Sequence, residues 1–238
     1  MAERPGIISV GWVTEVMRTK AWYGFDQNSG AFHWPMSVRK LAESYTLSLE
    51  EVNEAIASSF TPACLSQVLS IDSDGELRQK PLLSILRNEG ITPHIWTVGD
   101  REWQKTKFER TGANGYIPSD HFHCSEAHKE NALIEIINNL SRISSHYIVV
   151  DDKPSNIDFV ASVQGDFRKR GITLQNYHMK LSDTRADATA FYHWLREQLT
   201  NIAPNDFQLI LDFDGVVADT DSVLFGPAVE KILRLLTK

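Results

Sequence analysis

Five residues that could take part in catalysis or metal binding follow short apolar runs typical of buried strands. Thr97 follows one run, Asp151 and Asp152 follow a second, and Asp212 and Asp214 follow a third. An open parallel α/β sheet binds ligands at the carboxyl ends of its strands, so we expect these side chains to share one crevice. Carboxylates that lie so near to one another repel each other, and a bound Mg²⁺ with oxygen ligands would relieve the repulsion. The sequence therefore predicts a magnesium site that all four aspartates line.

The region from residue 81 to residue 238 alternates between strand and helix patterns that could hold such a crevice. Apolar runs predict strands at 93–98, 147–150, 172–175 and 207–211, and amphipathic stretches predict helices at 81–90, 103–110, 130–143, 157–163, 185–199 and near the C terminus. Strands that alternate with helices need crossover connections, which produce a parallel sheet covered on both faces. We therefore predict a Rossmann-like α/β domain over residues 81–238.

The first 80 residues have a different pattern, which is made of helices and loops. Ser48-Leu-Glu-Glu51 is a capping box that would open one of these helices. We therefore predict a small helical domain over residues 1–80. Within it, Asp72-Ser-Asp-Gly75 repeats the Asp-x-Asp-Gly pattern of residues 212–215, but it follows a helical-looking stretch at 65–69, so we interpret it as a turn.

The composition argues against several classes of protein. The net charge of −7 disfavours a nucleic-acid partner, because such binding needs clustered Lys and Arg. Cys64 and Cys124 are the two cysteines, so we expect neither a disulfide framework nor a Cys-x-x-Cys pair. The apolar stretch at 6–13 is too short for a signal peptide, and no apolar run is long enough to span a membrane. We therefore expect a soluble, cytoplasmic protein.

Four segments resemble the signatures of the haloacid dehalogenase superfamily. Leu209-Ile-Leu-Asp-Phe-Asp-Gly-Val-Val-Ala-Asp-Thr-Asp-Ser222 resembles the first signature, and Ile148-Val-Val-Asp-Asp-Lys-Pro-Ser-Asn-Ile157 resembles the acidic fourth. Ile95-Trp-Thr-Val-Gly99 resembles the second signature, and Lys129, at the start of a helix, resembles the third. Family members carry the signatures in order from first to fourth, whereas here the first comes last. The chain therefore looks like a circular permutant of the family.

The resemblance implies how the permuted chain would fold. The strand at 207–211 would lie in the middle of the sheet, between the strand of Thr97 and the strand of Asp151. Residues 200–206 would form the new linker to that strand. Residues 1–80 would form a cap that closes over the crevice, excludes water and contacts the part of the substrate that is not phosphate.

The resemblance also implies a catalytic role for four residues. Asp212 would attack phosphorus and form an aspartyl-phosphate. Asp214 would protonate the leaving oxygen and later activate water; dehalogenases of the family lack this second aspartate, and phosphatases keep it. Thr97 and Lys129 would hold phosphoryl oxygens, because phosphoryl transfer depends mainly on positioning and on neutralising charge.

The implied metal ligands come from the same segments. Asp212 and the backbone carbonyl of Asp214 would bind Mg²⁺, Asp152 would be the third protein ligand, Asp151 would assist, and Asn156 would orient them. The implied function is therefore a Mg²⁺-dependent phosphohydrolase that acts on a small phosphorylated metabolite. A phosphomutase would use the same chemistry, and an inactive module that binds a phospho-ligand or a protein would keep the fold alone. The protein would be a monomer or a homodimer, with a swapped C-terminal segment as one way to form the dimer.

Several of these residues also have ordinary structural explanations. Asp151 and Asp152 could cap the helix that follows them. Thr97 could be a hydroxyl at the end of a strand that binds nothing. Lys129 could be a solvated helix residue, and its role could pass to another lysine, namely Lys105, Lys107 or Lys153.

A further group has the composition of a transition-metal site. It consists of His121, His123, Cys124 and His128. Its spacing matches no zinc pattern, so we interpret it as part of a loop near the mouth of the crevice.

Overall fold

The computed structural model describes residues 39, 42–43, 47–71, 74–126, 128–140, 144–180, 187–200, 202, 206–224 and 226–236. Its helices are α1 (Leu49–Ala57), α2 (Leu82–Asn88), α3 (Arg101–Arg110), α4 (Lys129–Leu140), α5 (Pro154–Lys169), α6 (Asp187–Leu199), α7 (Thr220–Leu224) and α8 (Pro227–Leu236). Its strands are β1 (Gln67–Ile71), β2 (Leu77–Pro81), β3 (His94–Val98), β4 (Phe122–Ser125), β5 (His146–Asp151), β6 (Thr173–His178) and β7 (Phe207–Leu211). Residues 1–38, where the predicted helical domain begins, and most of the predicted linker at 200–206 lie outside the described residues.

The central feature is a parallel sheet with the strand order β4-β3-β7-β5-β6. β7 pairs with β3 through His94 and Ile95, and it pairs with β5 along its whole length. The prediction that the C-terminal strand lies between the strand of Thr97 and the strand of Asp151 is therefore confirmed. Helices cover the sheet, so the chain is an α/β protein with a Rossmann-like parallel sheet.

Side chains alternate between the two faces of the sheet, and each face belongs to a separate apolar cluster. On β7, Leu209 and Leu211 pack in the cluster that includes α2 and α6, whereas Ile210 packs in the cluster that includes α4 and α5. On β3, Ile95 lies in the first cluster and Trp96 in the second. Strands covered on both faces are apolar at nearly every position, which explains why these runs were recognisable in the sequence.

The C-terminal helix α8 packs against α1, although the two are far apart in the sequence. Val229 and Ile232 of α8 share an apolar cluster with Val52 and Ile56 of α1 and with Trp103 of α3. This cluster crosses the boundary that the sequence suggested near residue 80. It also links the segment that follows β7 to the N-terminal half of the chain.

The structure corrects one prediction inside residues 1–80. The stretch at 65–69, which looks helical in the sequence, contributes instead to β1, and β1 pairs with β2 as an antiparallel hairpin. A short apolar run does not separate helix from strand by periodicity alone, and here the pairing with β2 decides. Asp74 and Gly75 lie between the two strands, in agreement with the predicted turn, and Gly75 has a left-handed φ of 81°. The structure also corrects the loop predicted at His123 and Cys124, because these residues lie in β4, an edge strand with alternating polar residues.

Candidate metal and active site

Lys129 joins the tips of the two central strands. Its ammonium lies 2.6 Å from Oδ2 of Asp151, at the end of β5, and 2.8 Å from Oδ2 of Asp212, directly after β7. All three side chains are nearly buried, with exposed fractions of 6%, 0% and 4% for Lys129, Asp151 and Asp212. β5 and β7 are neighbours in the sheet and Lys129 is the first residue of α4, so one side chain reaches both carboxylates.

The sharing of one ammonium by two carboxylates affects the pKa of each group. Burial opposes the charge on Lys129, but Asp212 and Asp151 together raise the pKa of Lys129 above its usual value. Burial raises the pKa of Asp212 to about 7; Lys129 acts in the opposite direction, and the charges of Asp151 and Asp214 add to the increase. Lys129 is therefore charged at neutral pH, whereas Asp212 titrates near it.

Both carboxylate oxygens of Asp151 accept hydrogen bonds from groups of the protein. Its Oδ2 accepts from Lys129 and, at 2.9 Å, from the Nδ2 amide of Asn156, and its Oδ1 accepts at 2.8 Å from the backbone N–H of Lys153. Asp151 therefore accepts the backbone N–H of Lys153, the residue before α5, and not one within the first turn of the helix, as capping would require. It also fixes the position of Lys129.

Asp152 has the opposite character. Its Oδ1 is buried and has no hydrogen-bond partner among the described residues. Burial, and then the charge of Asp151, raise the pKa of Asp152 to about 6. A buried carboxylate oxygen without a donor is costly unless a cation or a water molecule binds it. Asp152 is thus the carboxylate with an oxygen free to bind a ligand.

Gly215 brings the loop after β7 into direct contact with Asp152. Its φ is +80°, and a Cβ at this position would lie 2.6 Å from Oδ2 of Asp152. Any larger residue would have to displace the carboxylate and adopt a strained backbone conformation. The glycine of the Asp-x-Asp-Gly pattern is therefore required by the geometry of the site itself.

The three carboxylates at the strand tips can surround one cation. Asp151, Asp152 and Asp212 each offer an oxygen, and the three oxygens lie within 4.8 Å of one another. A set made only of carboxylate oxygens suits a hard cation such as Mg²⁺ or Ca²⁺. The unpartnered Oδ1 of Asp152 supports the same interpretation, so the residues present fit a divalent metal ion.

Asp214 pairs with a different lysine and lies outside this group of three carboxylates. Its Oδ1 lies 2.5 Å from Nζ of Lys107 and accepts a hydrogen bond from the hydroxyl of Thr220, and its Oδ2 accepts at 3.2 Å from the amide of Gln104. The side chain is 32% exposed. Burial acts to raise the pKa of Asp214, but Lys107 and the three hydrogen bonds outweigh it and lower this pKa to about 2.

The charges of the whole site can be balanced by one divalent ion. Four carboxylates and two ammonium groups leave two negative charges among Asp151, Asp152, Asp212, Asp214, Lys107 and Lys129. Two excess negative charges in a largely buried site raise the pKa values of its carboxyls, as is found for Asp152 and Asp212. Binding of a divalent cation would remove that excess.

Thr97 is fully buried within β3, in register with Cys124 of β4. Alternation along the strand gives Thr97 the same face as Ile95, whereas Trp96 shares its face with Lys129 and Asp212. The structure brings together Lys129, Asp151, Asp152 and Asp212, and Asp214 pairs with a different lysine, Lys107. The role of Thr97 as a phosphate ligand stays a prediction.

Sequence reasoning missed the part of the site that α3 provides. Gln104 and Lys107 are both buried, lie three residues apart and point to the same carboxylate. Lys107 was considered only as a substitute for Lys129. Two long polar residues at helical spacing, directly after a strand that ends in the crevice, were the available signal.

Among the described residues, His121, His123, Cys124 and His128 do not form a set of metal ligands, in agreement with the interpretation that they are not a zinc site. His123 pairs instead with His94, at 3.0 Å between ring nitrogens, and His121 stacks on His94. Burial, followed by the charges of His121 and His123, lowers the pKa of His94 to about 4. Cys124 is buried with a pKa raised by burial to about 11, so it is not a reactive thiolate.

Comparison with protein-family models, curated proteins and solved structures found no match. Across the part of the chain that the structure describes, no helix combines the length and the hydrophobicity needed to cross a bilayer. The function is therefore inferred from the geometry of the site.

Proposed function

We propose that the chain is a Mg²⁺-dependent phosphohydrolase of the haloacid dehalogenase type, with its signatures in permuted order and Asp212 as its nucleophile. The observation that carries the proposal is the group at the tips of β5 and β7. There Lys129 neutralises two buried carboxylates, while an oxygen of Asp152 beside them has no protein donor. The implied substrate is a small phosphorylated metabolite.

In this proposal Asp212 attacks phosphorus and the leaving oxygen departs, which produces an aspartyl-phosphate. The hydrogen bond from the backbone N–H of Phe213 to Oδ1 of Asp212, 2.7 Å long, and the contact of Lys129 with Oδ2 hold the carboxylate in one orientation. Bound Mg²⁺ would supply positive charge to the phosphoryl oxygens and favour the ionised form of Asp212. Lys129 neutralises charge that develops on the transferred group.

Asp214 completes the reaction in this scheme. It donates a proton to the leaving oxygen and later takes one from the water that hydrolyses the aspartyl-phosphate. The contacts with Lys107, Thr220 and Gln104 suit the second half of the cycle, because they hold Asp214 ionised. For the first half, Asp214 has to leave Lys107 and take up a proton.

The test is hydrolysis of p-nitrophenyl phosphate and of a panel of metabolite phosphates with Mg²⁺, for wild type and Asp212→Asn. Asp206→Asn is a matched control. Asp206 directly precedes β7, so it lies at the amino end of the strand that has Asp212 at its carboxyl end, and it accepts hydrogen bonds from Ser145. We expect activity that needs Mg²⁺, loss of about a thousandfold or more in Asp212→Asn, and near-wild-type rates in Asp206→Asn. Equal activity in Asp212→Asn and wild type would exclude Asp212 as the nucleophile.

A second function is favoured by one specific observation. Asp214 is held by three side chains, which would suit a module that binds a phosphorylated ligand without turning it over. Wild type that binds Mg²⁺ and inorganic phosphate in calorimetry, yet hydrolyses none of the substrates, would establish this alternative.

A further inference from the structure

Trp96 contacts both the backbone and the ammonium of Lys129. The indole Nε1 donates a hydrogen bond of 2.7 Å to the backbone carbonyl of Lys129, and the ammonium lies 4.4 Å from the centroid of the indole ring. Trp96 is fully buried in the middle of β3. Ile95, the residue before Trp96, is in register with Leu211 of β7, the residue before Asp212.

The chain enters α4 at Lys129 through an unfavourable backbone conformation. Lys129 begins α4 directly after His128, which has a φ of 47°, in the left-handed region that is unfavourable for a residue with a Cβ. A buried donor on the Lys129 carbonyl fixes this turn from the side of the sheet. The direction in which the lysine side chain leaves the helix is thereby determined.

The side chain of Lys129 benefits in a second way. A lysine loses much rotamer freedom when it is held in one conformation, so a fixed ammonium needs contacts that compensate for this loss. The face of an indole ring attracts a cation, and the attraction is stronger when the pair is away from water, as it is here. Trp96 therefore keeps the ammonium at the two carboxylates before any substrate arrives.

We propose that Trp96 is a positioning residue for the proposed phosphoryl transfer, which acts through Lys129 and holds its ammonium against Asp212 and Asp151. The inference rests on the proposed function for its kinetic consequence, but not for the geometry itself. Groups that are already placed where charge develops need no reorganisation during the reaction. Loss of the contact should therefore lower kcat more than it raises KM.

The kinetic test compares two substitutions at Trp96 with one control. Trp96→Phe keeps an aromatic face and loses the N–H donor, whereas Trp96→Leu loses both. Tyr147→Phe is the control, because Tyr147 is equally buried in the same apolar cluster and its hydroxyl also donates to a backbone carbonyl, that of Ser144 at 3.2 Å. With p-nitrophenyl phosphate and Mg²⁺ we expect kcat to fall about fivefold in Trp96→Phe and about 50-fold in Trp96→Leu. Tyr147→Phe should stay within about twofold of wild type.

A second readout does not depend on catalysis. In protein with ¹³C-labelled lysine, the ε-CH₂ resonance of Lys129, assigned by its loss in Lys129→Met, should be shifted by the ring current of Trp96. Trp96→Leu should move it to the position of an ordinary lysine, and Tyr147→Phe should leave it unchanged. This difference would show that the ring of Trp96 lies against the side chain of Lys129 in solution, and the fall in kcat without a matching rise in KM separates positioning from a merely structural role.

The outcomes separate the two proposals. Folded Trp96→Leu that keeps the wild-type kcat would overturn the positioning role. If wild type hydrolyses no phosphate, the proposed function fails, and the resonance alone decides whether Trp96 positions Lys129. If Trp96→Leu does not fold, Trp96→Phe decides: a wild-type kcat there, with an unshifted Lys129 resonance in wild type, contradicts the proposal.

Discussion

Asp212 and Asp214 lie two residues apart after the same strand, each contacts a buried lysine, and their pKa values move in opposite directions. Asp212 shares Lys129 with Asp151, and its pKa rises to about 7. Asp214 has Lys107 to itself, together with two further donors, and its pKa falls to about 2. The number of donors available to each carboxylate, more than the presence of a lysine, decides which charge state the fold favours.

Without a bound metal ion, the two shifts are opposite to those that the proposed roles need, because Asp212 should be ionised to attack and Asp214 should be protonated to act as the acid. Sites that need one group as an attacking anion and another as an acid or base place them in environments that move their pKa values apart. Here the carboxyl with the raised pKa is beside the unpartnered oxygen of Asp152, where a divalent cation fits. The carboxyl with the lowered pKa is the more exposed one, at the side of the crevice that α3 covers.

The largest expected difference between the two pairs is in folding stability. Lys129→Met leaves two buried carboxylates without their ammonium, so we expect a loss of about 3 to 5 kcal/mol in the free energy of unfolding. Lys107→Met leaves Asp214 partly exposed and still bound to Thr220 and Gln104, so we expect about 1 to 2 kcal/mol. Urea unfolding at pH 7.5 with EDTA measures both. Equal losses would show that the donor count does not distinguish the pairs.

A bound metal ion should stabilise the protein through the carboxylates around Asp212 and not through Asp214. At a Mg²⁺ concentration of about 100 times Kd, we expect wild type to gain about 3 kcal/mol in the free energy of unfolding. Asp152→Asn should lose that gain, because it removes the charge of the carboxylate with the unpartnered oxygen. Asp214→Asn should keep most of it, since its carboxylate is occupied by Lys107. A gain that survives in Asp152→Asn would contradict the assignment of the metal site.

The dependence of stability on pH should separate the two aspartates without any ligand. The folded state holds a proton on Asp212 up to about pH 7, whereas the unfolded chain releases it near the usual value of 3.8. In EDTA, the contribution of Asp212 to stability should therefore fall by about 1.4 kcal/mol per pH unit as the pH rises through this window. Asp214 has the opposite sign: its stabilisation is present above 3.8 and is lost as the pH falls toward 2.

Single substitutions test these two windows separately. Asp212→Asn should reduce the slope between about pH 4 and pH 7 but leave the part due to Asp152, whose pKa is raised to about 6, and Asp214→Asn should reduce the slope below about pH 4. Urea unfolding at intervals of half a pH unit measures the slopes. A wild-type slope in Asp212→Asn across the upper window would mean that another group titrates there.

The sequence was informative wherever a residue is close in the chain to a recognisable strand. β7, Asp212 and the acidic pair after β5 were identifiable because continuous apolar runs precede them and both faces of the sheet are covered. Lys107 was not assigned to Asp214, because 107 residues separate them and no local pattern couples them. The hairpin of β1 and β2 was missed for a related reason, since its short apolar run is ambiguous until the partner strand is known.

Thr97 provides the smallest expected effect, and it tests how far the resemblance extends. The resemblance implies that its hydroxyl holds a phosphoryl oxygen, whereas alternation along β3 directs it to the face opposite Lys129 and Asp212. We therefore expect Thr97→Val to change kcat/KM by less than about threefold. Loss of a hydrogen bond to a charged phosphoryl group would instead cost about tenfold or more.

Thr111→Val is the control for removing a buried hydroxyl, because Thr111 is fully buried at the end of α3 and donates only to backbone carbonyls of that helix. If both variants keep kcat/KM while losing similar stability, Thr97 is a packing residue. The phosphoryl group would then be held by the side of the site that Trp96, Lys129 and Asp212 share. A tenfold loss in Thr97→Val alone would instead show that the end of β3 turns its hydroxyl into the crevice when substrate binds, and that both faces of β3 serve the reaction.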